Sequence, residues 1–387
     1  MLNSATSYDI VIAGGGLAGL ALSIQAARAG YKTALFEKET YPFHKVCGEY
    51  ISLESWNFLE ELGLPLSDWN LPAIKKVLIS APNGTFIEQD LPLGGFGISR
   101  YKIDAALAEI ARDSGVELFE STRVTDIVFQ RSAFHIRTGS GEVEAKVVCG
   151  TFGKRSNLDI KWKRSFTRRR PTRLNNFVGV KYHVRIDPAM KEELAPDDRI
   201  ALHNFSDGYC GISRIEEGLY CLCYLTNASN LQSCGNSIPE MEKRILQQNP
   251  HLKKVFAAAT SVFEQPLTIS QISYDLKSRV ENHILMIGDA AGMAPPLSGN
   301  GMSMALHGSK IAFKSVDSFL QNQIARHEME QEYTDQWDRH FGKRLWVGRQ
   351  IQRYFGSAYK SNLLLYSLKP FPKLVSFLIR QTHGQPF

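Results

Sequence analysis

The stretch "YDIVIAGGGLAGLALSIQAARAGYKTALFEK", residues 8–38, constrains the fold more than any other. "DIVIA" is a short apolar run of the kind that forms a buried parallel strand. The spacing predicts a helix over residues 17–29, rich in Ala and Leu and stopped by Gly30. "KTALFE" then reads as a second strand. Between the first strand and the helix stands Gly14-x-Gly16-x-x-Gly19. The first glycine permits a tight turn. The second lets the backbone approach a pyrophosphate, and the third lets helix and strand pack closely. The free N–H groups and the positive dipole end of the helix then face the phosphates. Glu37 follows Gly14 by 23 residues and ends the second strand, where its carboxylate can accept hydrogen bonds from a ribose diol. Alone the glycine pattern is weak; with strand, helix and acid in place it predicts a dinucleotide-binding unit.

The remaining bulk properties bound the class. The 387 residues suffice for two packed units, and 43% hydrophobic with 22% charged residues is an ordinary globular balance. No run of eighteen apolar residues occurs, so a spanning helix is not expected. The N-terminus lacks a positively charged leader, and its apolar part reads as the first strand rather than a signal peptide. Six scattered cysteines suggest free thiols and a cytoplasmic setting. Cys221 and Cys223 alternate in "LYCLCYL" and read as neighbours on one strand face; no metal site is expected.

Charge is unevenly placed. After Asp338 no acidic residue occurs, while nine Lys and Arg do; the rest of the chain nets −3. This tail is also rich in Leu, Phe and Tyr. It reads either as a helical segment packed on the body or as a peripheral contact with an anionic membrane, through residues 339–387, at the inner face of the membrane. Pro370 and Pro372 interrupt its apolar run, which argues against spanning. The basic cluster 161–173 reads as a solvated loop or a phosphate or membrane site. Nucleic acid is not an expected partner, because no binding motif accompanies it.

Two later blocks bear on which dinucleotide is bound. Residues 98–127 open with Arg100, run through an amphipathic helix and return through a strand near Val124. Residues 283–310, "HILMIGDAAGMAPPLSGNGMSMALHGSK", read as a strand ending at Gly288-Asp289, a loop rich in Pro and Gly, and a helix from about Met302. In this order and spacing the three blocks resemble the FAD-dependent oxidoreductase superfamily that includes p-hydroxybenzoate hydroxylase-type monooxygenases and geranylgeranyl reductases. The resemblance covers roughly residues 7 to 320. It implies an α/β fold: a Rossmann-like FAD-binding domain (1–73, 99–175 and 270–325), an inserted antiparallel substrate-binding sheet (74–98 and 176–269) and a C-terminal helical region (326–387). It further implies that Gly14, Gly16 and Gly19 cradle the pyrophosphate and that Glu37 binds the adenosine ribose. Arg100 would contact FAD, Val124 would bound the adenine, and Gly288, Asp289, Gly299, Gly301 and Met302 would hold the ribityl and flavin part.

In that superfamily the loop after the second strand reaches the flavin ring, and "YPFHKVCGEYIS" falls there. Lys45 can then offset phosphate charge, and Cys47-Gly48-Glu49 can approach the ring or the substrate. Lys-x-Cys-Gly resembles the geranylgeranyl reductase branch. Cys47 is a candidate catalytic residue, against the plainer reading of a small packed thiol. Pro296 is the other candidate, since in hydroxylases the carbonyl at the matching position faces the substrate. Two departures matter. Phe152 stands where hydroxylases carry an acid that helps bind NAD(P)H, and Gly292 stands where they often carry a histidine. The strands between 177 and 228 offer Tyr182, His183, His203, Tyr209 and Arg214 as candidate substrate contacts.

The expected activity is therefore oxidation–reduction on FAD, driven by NAD(P)H, on a lipophilic or aromatic small molecule. Hydroxylation stands first, saturation of a carbon–carbon double bond in a prenyl-like chain second. Halogenation is third, because "IKWKRSF" is not the Trp-x-Trp-x-Ile-Pro of many halogenases. A flavin-binding lipid carrier or redox sensor without turnover is the reading from another class.

Overall fold

A computed structural model describes residues 6–169, 176–294, 300–355, 357–382 and 384–387. The dinucleotide-binding pattern becomes strand Ser7–Ala13, helix Leu17–Arg28 and strand Thr33–Phe36. These strands pair in parallel, Ile10 opposite Thr33 and Ala13 opposite Phe36. Strand Gly141–Gly150 pairs in parallel on the other side of Ser7–Ala13, followed by Ile284–Met286; Glu117–Phe119 lies beyond Thr33–Phe36. Both faces of this sheet are covered, so its central strand reads as an unbroken apolar run, with Ile10, Val11 and Ile12 fully buried.

The second sheet has nine strands and is largely antiparallel, with Arg199–Phe205 and Ala73–Ser80 paired in parallel. Phe177–Ile186, Tyr220–Asn227, Gly208–Arg214 and Arg199–Phe205 form its middle. The hairpin expected at Pro82-Asn83-Gly84 joins Ala73–Ser80 to Phe86–Gly97. Tyr50–Ser52 also joins this sheet, beside Phe86–Gly97, although sequence reasoning placed it in the other unit. A three-residue strand carries too little pattern to reveal its partner.

Successive strand residues point to opposite sides, and the two sides of this sheet differ. The back, with Val178, Val180, Leu222 and Tyr224, is sealed by Met241, Leu246, Leu252 and Val255 from three short helices. The front carries Gly179, Lys181 and His183 opposite Leu225, Cys223 and Cys221, and these opposite Tyr209, Gly211 and Ser213. It faces the dinucleotide unit.

Helix Gly301–Leu320 packs on Leu17–Arg28, and helix Arg326–Phe355 packs on Gly301–Leu320, with Tyr333, Trp337 and Phe341 fully buried in the same core. Helices Ala358–Leu368 and Pro372–Thr382 follow. Among the described residues no helix is long and apolar enough to cross a membrane.

Candidate functional site

The glycine loop has the geometry that its three positions require. Gly14 has φ +112°, and a Cβ there would lie 2.7 Å from the Thr151 carbonyl oxygen. A Cβ on Gly19 would lie 2.1 Å from the Gly14 carbonyl oxygen, so helix and turn could not approach as they do. Gly16 is different: among the described residues nothing lies nearer to its added Cβ than Arg100 Nη2 at 3.8 Å. The turn is therefore closed on the protein side and open where a ligand would lie. Gly16 also caps the helix without a side chain, leaving the first-turn N–H groups uncapped by it. Glu37 is 6% exposed. It accepts from Gly15 N–H at 2.8 Å and from Glu39 N–H at 3.1 Å, one bond per oxygen, so each oxygen keeps acceptor capacity.

Two cations stand over this loop, held by one buried carboxylate. Asp104 accepts from Nε and Nη2 of Arg100, each at 2.7 Å, and from Lys45 Nζ at 2.8 Å. Burial alone would raise its carboxyl; Arg100 and Lys45 overcome this and hold it below the usual range. Lys45 Nζ also lies 3.4 Å from the Gly15 carbonyl oxygen. The trio carries one net positive charge, facing the open side of the turn.

The loop containing Cys47 is pinned to the front of the antiparallel sheet. Val46 lies 3.2 Å from where a Cβ on Gly179 would be, so a side chain there would press on the loop. Cys221 donates its S–H to the Cys47 carbonyl at 3.2 Å, and Lys181 Nζ donates to the Lys45 carbonyl at 3.1 Å. Glu49 is fully buried, with φ +54°. Its carboxylate accepts from Lys181 Nζ, from His183 Nε2 at 2.6 Å and from Arg100 N–H at 2.8 Å. Burial works against this charge, but His183 and Lys181 outweigh it and hold the carboxyl below its ordinary value. The Cys47 sulfur lies 3.6 Å from Met302 Sδ, at the start of helix Gly301–Leu320. Cys47 keeps partial exposure, yet enclosure of its sulfur pushes the thiol up, so it stays protonated at neutral pH.

Sequence comparison matches this chain to the FAD binding domain family over residues 7–323. The chain belongs to that family, within the FAD-dependent oxidoreductases. A digeranylgeranylglycerophospholipid reductase of Methanosarcina acetivorans is 25% identical over 350 residues, covering 85% of this chain and 80% of that protein. Among solved structures, a geranylgeranyl bacteriochlorophyll reductase-like protein of Thermoplasma acidophilum superposes with a TM-score of 0.78 at 18% identity, covering 99% of this chain and 97% of that one. The p-nitrophenol 4-monooxygenase of Pseudomonas putida reaches 0.76 at 16%, covering 99% and all of its own chain. At these identities the structures establish the fold.

The residues present fit FAD. The open side of Gly16, the acceptor capacity of Glu37 and the paired cations Lys45 and Arg100 suit a pyrophosphate and a ribose. Among the described residues, nothing lies within 4 Å of a Cβ added at Gly301, at a second helix start. Gly288, with φ +63°, packs where Ala18 and Ala305 would crowd a side chain at 3.5 and 3.3 Å. Asp289 beside it has its carboxyl raised by burial, against the pull of Lys277, Arg100 and Lys154. Lys277, itself lowered to about 8 by burial, donates to the Lys154 and Asp289 carbonyls.

Other expected positions divide. Val124 starts a strand and is 7% exposed; its carbonyl accepts from Asn157. At Gly48 nothing among the described residues lies within 4 Å of an added Cβ. Pro296 and Gly299 lie outside the described residues, as does part of the basic cluster 161–173. Of the five strand candidates, His183 and Tyr209 lie on the front. Tyr182 hydrogen-bonds Glu242, His203 pairs with Ser80, and Arg214 pairs with Asp197, all away from it. Strand register decides this, and register was not legible in the sequence. Sequence reasoning assigned no role to Asp104, Lys181 or Lys277. Lys181 did leave a signal: in "VGVKYHVRI" it shares parity with His183, and a buried ammonium requires a partner. Gly292 also gains a reason, since a Cβ there would press on Trp337 at 3.1 Å.

Proposed function

We propose that this protein is an FAD-dependent reductase that saturates a carbon–carbon double bond in a lipophilic, prenyl-like chain, with NAD(P)H as the source of reducing equivalents. The observation that carries the reading is the place of Cys47: a protonated thiol where the nucleotide-binding loop meets the front of the antiparallel sheet. Further along that front the surface is apolar, with Val77, Leu202, Tyr209 and Leu225 packed with Tyr274. This surface suits a hydrocarbon chain, and the thiol stands at its polar end.

When bound, reduced FAD supplies a hydride. The remaining work falls to the chain. Cys47 gives its proton to the second carbon of the double bond, so two C–H bonds form as the π bond breaks. Its partial exposure lets water return the proton. Glu49, Lys181 and His183 act as positioning residues that hold the Cys47 loop against the sheet. The Lys-x-Cys-Gly form, the Phe152 departure and the reductase names among the relatives support the same reading. Hydroxylation is the second reading. What favours it is the dryness of the front, where Tyr209, Tyr274 and Leu225 are 8%, 8% and 5% exposed, because oxygen chemistry on FAD requires exclusion of water.

The test is anaerobic. The yellow protein is reduced with NADPH or dithionite and mixed with a polyprenyl alcohol. Reoxidation without oxygen, with a product heavier by two hydrogens, is expected. Reoxidation only with oxygen, with isotopically labelled oxygen in the product, would put hydroxylation first. Protein that retains FAD and is reduced by no donor would be a carrier or sensor.

A further inference from the structure

The last two helices turn large apolar side chains outward. In helix Ala358–Leu368, Ser361 and Leu365 face inward, and Leu365 joins Ala81, Ile87 and Val375. The outward side carries Tyr359, Leu363 and Tyr366, which are 75%, 56% and 73% exposed. These positions recur after four and three residues and so lie on one face. The turn before helix Pro372–Thr382, and that helix itself, repeat the arrangement. Val375 is buried, while Phe371, Leu374 and Phe377 are 58%, 45% and 56% exposed. Lys360, Lys369, Lys373 and Arg380 stand among these six side chains, all exposed. No acidic residue lies in this part of the chain.

Singly exposed apolar residues need no explanation, but six large ones on the outward sides of two consecutive helices and the turn between them do. Along both helices these side chains are interleaved with exposed charge of one sign. An anionic lipid surface meets both properties at once, taking apolar side chains into the acyl boundary while its headgroups meet the cations. Each helix has 11 residues, about 16 Å of length, against the roughly 30 Å needed to span, so the pair lies on a bilayer rather than across it. The inner side of the second helix points to the site. Ile379 packs against the cluster of Val77, Leu202, Tyr209 and Leu225 on the front of the antiparallel sheet. One short helix therefore touches the apolar front on one side and presents Leu374 and Phe377 on the other.

We propose that helices Ala358–Leu368 and Pro372–Thr382 dock the protein on an anionic bilayer surface, and that a lipid chain passes from that surface beside Ile379 to the front of the antiparallel sheet. The docking stands by itself; the route rests on the function proposed above.

The experiment is cosedimentation of the FAD-loaded full chain with vesicles of phosphatidylcholine alone or mixed with phosphatidylglycerol. Binding to the mixed vesicles, weakening with salt, is expected. K369Q/K373Q should weaken it roughly thirtyfold, from two basic side chains at the surface. F371S/F377S should weaken it at low salt as well. Retained FAD and an unchanged unfolding midpoint show that the variants are folded. No binding to either vesicle, or binding that neither variant weakens, would overturn the proposal. So would a dimer, seen by light scattering, that F371S/F377S disperses, because the patch would then belong to a second copy. Turnover separates the two halves. A short soluble prenyl alcohol should be reduced equally by wild type and variants, and a vesicle-held lipid by wild type alone. Normal docking with turnover of neither substrate would overturn the route and the reductase reading while leaving the docking in place.

Discussion

At the scale of single residues, the site is a set of buried charges, each held by a named partner. Glu37 accepts from two backbone N–H groups and keeps acceptor capacity for a ribose. Glu37→Ala should weaken FAD binding by about 1–3 kcal/mol, roughly 5- to 150-fold, as read from titration of the apoprotein; unchanged affinity would remove Glu37 from the site. Cys47→Ser should retain FAD and its rate of reduction by dithionite while losing reoxidation by the prenyl alcohol. A variant with wild-type reoxidation would return Cys47 to packing alone. Glu49 is the residue on which the loop depends. Glu49→Ala leaves the buried Lys181 ammonium without its counter-charge and His183 without its hydrogen-bond partner, and should cost about 3–5 kcal/mol in urea unfolding at neutral pH. A loss within that of an ordinary surface substitution would show that the pairing contributes little.

At the scale of elements, the turn between Ser7–Ala13 and Leu17–Arg28 separates fold from ligand. Gly19→Ala drives a Cβ onto the Gly14 carbonyl and should lower the stability of the apoprotein. Among the described residues, Gly16→Ala meets no atom nearer than 3.8 Å at its new methyl. It should leave the apoprotein's unfolding midpoint unchanged while FAD affinity falls. If both measurements stay at wild-type values, the open side of Gly16 does not face the pyrophosphate. The loop from Tyr41 to Glu49 shows the complementary case. Its own pattern favours neither helix nor strand, and its conformation comes from the sheet behind it, through Gly179, Lys181 and Cys221.

At the scale of the whole molecule, the two sheets are joined by charge as well as by apolar packing. Asp104 ties Lys45 and Arg100 together above the nucleotide turn, and Glu49 ties the adjoining loop to the second sheet. Both carboxyls sit below their ordinary values in the folded chain. Their stabilisation is therefore fully present above the ordinary carboxylate range of about 4–4.5 and is lost as pH falls through the lowered values. The stability gap between wild type and Glu49→Gln should be widest at neutral pH and close in acid, measured by urea unfolding across pH. A gap independent of pH would mean that Glu49 acts through shape rather than charge.

The sequence alone determined the strand–turn–helix–strand of residues 8–38, because those dihedral and packing demands act between close neighbours and leave their mark in glycine spacing and apolar runs. The alternation of Phe177–Ile186 and Tyr220–Asn227 was legible for the same reason. Which side of those strands faces the site was decided only by tertiary structure, since a shift of one residue in register exchanges the faces. The pairing of Glu49 with Lys181 and His183, 132 and 134 residues away, was decided there too. No local rule relates such distant residues. They meet because folding buries all three, and a buried charge persists only beside its opposite.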